Sequence, residues 1–105
     1  MRVVNLADYQ QFSDEKMKKN NVFETKRLFC DIYCFEPGQE QKGHTHGEQD
    51  KVYFVLEGEG TFQVGADKQV LHEGQGTIAQ AGEEHGVMNH TAKRLRVLVF
   101  VAPNP

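Results

Sequence analysis

A chain of 105 residues with a net charge of −3 and a pI near 5.9 has room for one domain and a modest core. No basic cluster longer than Lys18-Lys19 occurs and no apolar run approaches the roughly 20 residues that span a bilayer, so neither nucleic acid nor a membrane is an expected partner. The opening residues 1–10 lack the apolar core of a signal peptide, which makes a cytoplasmic location the expectation.

Ten glycines and three prolines are spread along the chain as punctuation, a composition that suits many short strands and tight turns. Residues 2–5 form a first strand candidate. Residues 6–20 are mostly polar, and Ser13-Asp14-Glu15 followed by Lys16, Lys18 and Lys19 predicts a helix of one or two turns, capped at its start and with its dipole complemented. Tyr9, Phe12, Met17 and Phe23 are the anchors that would lay this arm, residues 1–26, on the remainder or on a partner.

From residue 27 the chain reads as strand after strand. Residues 28–35 end at Glu36-Pro37-Gly38, a type II turn signal. Further strands are predicted over 41–46, 51–57, 61–64, 69–72, 77–79, 85–89 and 94–101, with turn residues between them. This spacing predicts an all-β antiparallel sandwich or jelly-roll barrel over 27–105, and the absence of long helical segments between strands excludes an α/β fold.

Cys30 and Cys34 lie on the first long strand. Four strand residues span about 13 Å, whereas a disulfide needs Cα atoms within about 7 Å. The two thiols therefore cannot pair with each other, and free thiols suit a reducing compartment. Leu28, Cys30, Ile32 and Cys34 make an apolar face while Asp31 marks the other, so the cysteine face is the expected barrel interior. Residues 52–56 and 97–101 are apolar on both faces. A single barrel buries one face of each strand, so the other needs a cover, for which a sheet-to-sheet homodimer is expected, with the N-terminal arm as the alternative.

His44 and His46 are one residue apart on a predicted strand, where alternate side chains share a face. A third histidine, His85, follows far downstream, and the three rings could converge on one ion. His72 and His90 are read as ordinary satisfied polar residues. The register of Gly38, His44, His46 and Gly58, and then of Gly74, Gly82, His85 and Asn89, resembles the two motifs of the cupin family. The resemblance runs from Gly38 to Asn89, about half the chain, and implies a double-stranded β-helix.

Two positions depart from the family pattern. Gln80 stands at a proline position, where it bears on the turn alone. Lys51 stands where the family's metal-binding glutamate is placed. A protonated lysine cannot ligate and is repelled by a divalent ion. The resemblance then leaves three arrangements open. His44, His46 and His85 hold the metal by themselves, as in the three-histidine iron site of the thiol dioxygenases that the family includes. Alternatively, Asp50 or Gln49 takes the carboxylate's place through a bulge. In the third, the site is without metal and Lys51 caps an anion-binding pocket.

Three imidazoles suit Fe(II), Zn, Ni, Co or Cu, with Mn less favoured for want of a carboxylate. Tyr53, Val55 and Phe62 or Phe100 would wall the lumen around a small-molecule ligand, with Lys51 and Tyr53 as the candidate catalytic groups. The functions this supports are a metal-dependent dioxygenase, isomerase or lyase, or else a non-catalytic cupin that binds or senses a small ligand.

Overall fold

The computed structural model describes residues 1–45 and 47–105, with the backbone alone at His44. Among these, a 3-10 turn at Leu6–Asp8 is followed by strands β1 (Lys18–Glu24), β2 (Phe29–Phe35), β3 (Glu40–His44), β4 (Asp50–Glu57), β5 (Glu59–Val64), β6 (Asp67–His72), β7 (Gly76–Ala79), β8 (His85–Met88) and β9 (Leu95–Ala102). They form two antiparallel sheets, one of five strands in the order β1-β2-β9-β4-β7 and one of four in the order β3-β8-β5-β6. The fold is all-β, as the turn spacing predicts.

The turns follow the residues that demand them. Gln39 N donates to Glu36 O over 3.1 Å with Gly38 at φ +82°, the type II turn expected at Glu36-Pro37-Gly38. Gly58, at φ +81°, lies so close to the loop before β9 that an added Cβ would collide with the carbonyl oxygen of Arg94. Asn89 is fully buried. Its Nδ2 donates to Phe35 O and Lys93 O while its Oδ1 accepts from Thr91 N and Oγ1, closing the loop between β8 and β9.

The interior between the sheets is filled by Tyr33, Phe35, Tyr53, Val55, Phe62, Val87, Leu95, Val97, Val99 and Val101. A second cluster lies on the outer face of the five-stranded sheet. There Val22, Cys30, Ile32 and Cys34 are covered by Val4, Tyr9, Phe12 and Phe23, with Leu56 and Leu98 beside them.

Three expectations are corrected. The helix at 13–19 does not form: residues 14–16 make a bend in which Glu15 N donates to Ser13 Oγ. Lys18 and Lys19 then pair in β1 with Cys34 and Tyr33, because a ladder against β2 satisfies more backbone groups than one isolated helical turn. The strand predicted at 2–5 is likewise absent, and Val4 packs there on the outer cluster.

Third, the cysteine face of β2 is its outer face. Phe29, Tyr33 and Phe35 belong to the interior, and the cysteines lie beneath the N-terminal arm. The aromatic face outweighs the cysteine face in apolar area, and Asp31, although 7% exposed, sits on it toward one end of the strand. Of the two alternative lumen walls, Phe62 lines the interior, whereas Phe100 points outward and is 37% exposed.

The arm covers part of the outer face. Phe54, Ile78 and Phe100 remain exposed there, with Val52 in register between Phe100 and Ile78. No helix among the described residues is long and apolar enough to cross a membrane.

Candidate functional site

The candidate residues are delivered by β3, β4 and β8 and the segments beside them. β3 and β8 run antiparallel with a bulge between Gln41 and His44, and that bulge brings His44 into register with His85. His85 follows a turn in which Glu83 N donates to Gln80 O and Gly82 takes φ +86°. The imidazole of His85 is 2% exposed, and its Nδ1 lies 2.9 Å from the carbonyl oxygen of Glu83. A carbonyl only accepts, so Nδ1 carries a proton, and in the neutral ring Nε2 then holds the lone pair. That is the tautomer a metal-binding histidine adopts when a backbone carbonyl fixes its ring.

Lys51, Tyr53 and Val55 alternate along β4 and share its inner face. Tyr53 is 1% exposed; its ring packs edge-on against Phe62 at 5.5 Å and lies 6.4 Å from that of His85. Among the described residues its hydroxyl has no hydrogen-bond partner. A buried hydroxyl left so costs about 1–3 kcal/mol, which a bound ligand would recover.

Lys51 is 3% exposed. Its Nζ donates to Gln41 Oε1 at 3.1 Å and stands 4.9 Å and 5.4 Å from the ring centres of Tyr33 and Tyr53. Burial, reinforced by the charge of Lys19 and opposed by that of Asp31, lowers its pKa to about 8. Burial pushes the Tyr33 hydroxyl up to about 12 against a hydrogen bond with Gln41, and it raises that of Tyr53 as well. Both phenols are therefore neutral donors near pH 7.

Of the other candidates, Asp50 is exposed, and its Oδ1 accepts from Ala81 N at 2.9 Å, tying the start of β4 to the turn before His85. Gln49 lines a pocket with Lys51. His46 and the side chain of His44 lie outside the described residues; among those described, no group of three metal-binding side chains is gathered. His72 lies on β6 away from the site, and His90 Nδ1 is 2.8 Å from Thr61 Oγ1, a satisfied surface pair.

Two cavities bear on the choice of site. One, of about 210 Å³, is lined by Phe29, Tyr33, Gln41, Lys51 and Val101 among others. A larger one of about 510 Å³ lies at the far end of β4 between Gly58, His72 and Lys93, and it contains none of the candidate residues. The smaller is the one that adjoins the convergent polar groups, which is the better mark of a binding site.

Sequence reasoning missed Tyr33 and Gln41, which hold Lys51 from either side. Tyr33 could have been found from its alternation with Phe29 and Phe35, had the aromatic face been taken as the inner one. Gln41 carries no sequence signal that separates it from the other glutamines.

The model of the family described as Cupin domain matches residues 31–101. No curated protein matches the chain. Among solved structures, the protein TT1209 of Thermus thermophilus is 41% identical over 100% of both chains, with a TM-score of 0.97. An RmlC-like cupin protein of Desulfovibrio desulfuricans is 30% identical, covering 98% of this chain and 97% of its own, with a TM-score of 0.85. An uncharacterised protein of Klebsiella pneumoniae with a double-stranded β-helix domain is 27% identical over 98% of this chain and 90% of its own, with a TM-score of 0.89.

Proposed function

The chain belongs to the cupin family, and on that footing we propose that it holds a divalent transition metal through His44, His46 and His85 and takes a small molecule in the adjoining lumen. The observation that carries the reading is the register of His44 with His85 across β3 and β8, together with a buried His85 ring whose Nδ1–H is committed to Glu83 O. The donor set fits an ion that accepts imidazole nitrogen, which favours Fe(II), Zn, Ni, Co or Cu over Mn. The carboxylate of Asp50 is engaged at Ala81 N, so a three-histidine set is preferred to one completed by Asp50. When bound, the metal supplies a Lewis acid or redox centre with open positions toward the lumen.

The chain's own residues then handle the small molecule. Tyr53 Oη, neutral and buried, donates a hydrogen bond into the lumen. Lys51, fixed by Gln41 and the faces of Tyr33 and Tyr53, presents its ammonium to a negatively charged group. Val55 and Phe62 exclude water from beneath.

A second reading, a non-catalytic cupin that binds or senses a ligand, is favoured by one observation: a buried cation occupies the position of the family's carboxylate ligand. Elemental analysis of the purified protein tests the first reading, with about one metal per chain expected and little or none in His85→Ala. Metal content unchanged by that substitution would overturn it. Oxygen uptake with a panel of thiols and diketones then separates turnover from binding.

A further inference from the structure

We propose that the pocket over Lys51 is a carboxylate site, taking a small organic acid with its carboxylate against Lys51 Nζ and its apolar body against Phe29, Tyr33 and Val101. The inference rests on the lumen being a ligand site, and it names the class of ligand.

The first ground is charge. Lys51 is 3% exposed, and a buried cation is stable only where an anion or several good acceptors meet it. Among the described residues its one hydrogen bond is to a neutral amide oxygen, that of Gln41. The ion pairs formed by described residues, Arg94 with Glu36 and Arg96 with Glu57, do not involve it. Asp31 acts on Lys51 by charge alone, and Lys19, whose Nζ stands 5.4 Å from the ring centre of Tyr33, adds a second cation on the same side. Among the described residues Lys51 therefore has no ion-pair partner, and the charge of Asp31 offsets it only without direct contact.

The second ground is shape and lining. The cavity of about 210 Å³ is bounded by Phe29, Tyr33, Val101 and Pro105 as well as by Lys19, Lys51, Gln41 and Gln49. At ~30 Å³ per water, it has room for a ligand of roughly seven to ten non-hydrogen atoms. The apolar walls select against inorganic anions, which would have to shed their hydration against carbon, and favour an acid with an aromatic or branched body. The third ground is order. Gln41 engages both Lys51 and the Tyr33 hydroxyl, so the ammonium is held in place before a ligand arrives and little side-chain entropy is lost on binding.

Benzoate is a suitable probe and benzamide its neutral counterpart. Calorimetric titration is carried out at pH 7 on the native protein after metal removal by chelation and again after reloading. Benzoate is expected to bind the metal-free protein at least about tenfold more tightly than benzamide. Lys51→Met should erase that preference and leave the weak benzamide binding in place, while Lys51→Arg keeps it. Benzoate should also shield Lys51 from reductive methylation in the native protein, read by peptide mass spectrometry, a measurement that needs no variant to fold. The proposal is overturned if benzoate and benzamide bind equally, if neither binds, or if the preference survives in Lys51→Met. Benzoate binding seen only with metal present, and insensitive to Lys51→Met, would place the anion on the metal, refuting this site while leaving the metal reading intact. Loss of the metal reading through His85→Ala would leave the metal-free titration unaffected.

Discussion

The two faces of the five-stranded sheet bury polar groups in opposite ways. On the outer face, the buried polar side chains of Arg96 and Asn20 both bond the backbone of the arm. Arg96 Nη1 donates to the carbonyls of Leu6 and Tyr9 at 3.0 Å and 3.3 Å, while its Nε pairs with Glu57 at 2.8 Å. The side-chain amide of Asn20 bonds both N and O of Gln11, as a neighbouring strand would. On the inner face, Tyr53 Oη has no partner among the described residues, and Lys51 meets a neutral amide. The polar groups that fix the arm are met largely by its backbone, whereas Tyr53 and Lys51 keep hydrogen-bonding capacity to spare among the described residues.

The largest effects test whether the two faces contribute equally to stability. Leu95→Ala inside and Ile32→Ala beneath the arm both remove a side chain of 0% exposure, and each is expected to cost about 2–5 kcal/mol in urea unfolding. A much smaller loss for Ile32→Ala would mean that the arm is a loose cover. Next, Arg96→Met strips the arm's two carbonyls and Glu57 of their donor, and should cost about 2–3 kcal/mol.

The same variant should open the cysteines. Burial pushes the Cys34 thiol up to about 11, so alkylation at pH 8 is slow in the native protein. Arg96→Met should accelerate it, and unchanged rates would show that the arm stays seated without Arg96.

The inner face has its own pH signature. The native pKa of Lys51, about 8, lies below its ordinary 10.5. Below about 8 both folded and unfolded chains hold the proton and the burial penalty applies in full. Between about 8 and 10.5 the unfolded chain holds the proton and the folded chain has lost it, so stability rises with pH. The native protein should therefore gain on Lys51→Met across that window by a few kcal/mol at most, measured by denaturation at each pH. A gap that stays constant with pH would show that Lys51 is not desolvated.

The smallest effect lies on the exposed remainder of the outer face. Ile78→Ser should change the stability of a single chain by no more than about 0.5 kcal/mol. If a second copy covers Phe54, Ile78 and Phe100, as the doubly apolar strands lead one to expect, Phe54→Glu with Phe100→Glu should turn a dimer into a monomer in sedimentation equilibrium. A native protein that sediments as a monomer would leave the arm as the sole cover.

Most of the architecture was legible because it is encoded locally. Glycines at Gly38, Gly58, Gly74 and Gly82 all take positive φ, and alternation along β4 assigns Lys51, Tyr53 and Val55 to one face. The placement of the candidate site's residues was legible in part. The spacing of the two motifs singled out His85, and the structure places it buried and opposite His44. The helix at 13–19 failed because capping residues report what a segment favours in isolation, while β1 is held by β2. The face of β2 was misassigned because two apolar faces cannot be ranked by pattern once both are covered.

What the sequence by itself determined was the all-β class, the turns and the register of the two motifs, since each depends on the conformational limits of a few neighbouring residues. What only the tertiary structure decided was which face of β2 turns inward, where the N-terminal arm lies, and that Lys51 stands buried between Tyr33, Gln41 and Tyr53. Those outcomes depend on contacts between residues far apart in the chain, whose energies no local pattern carries.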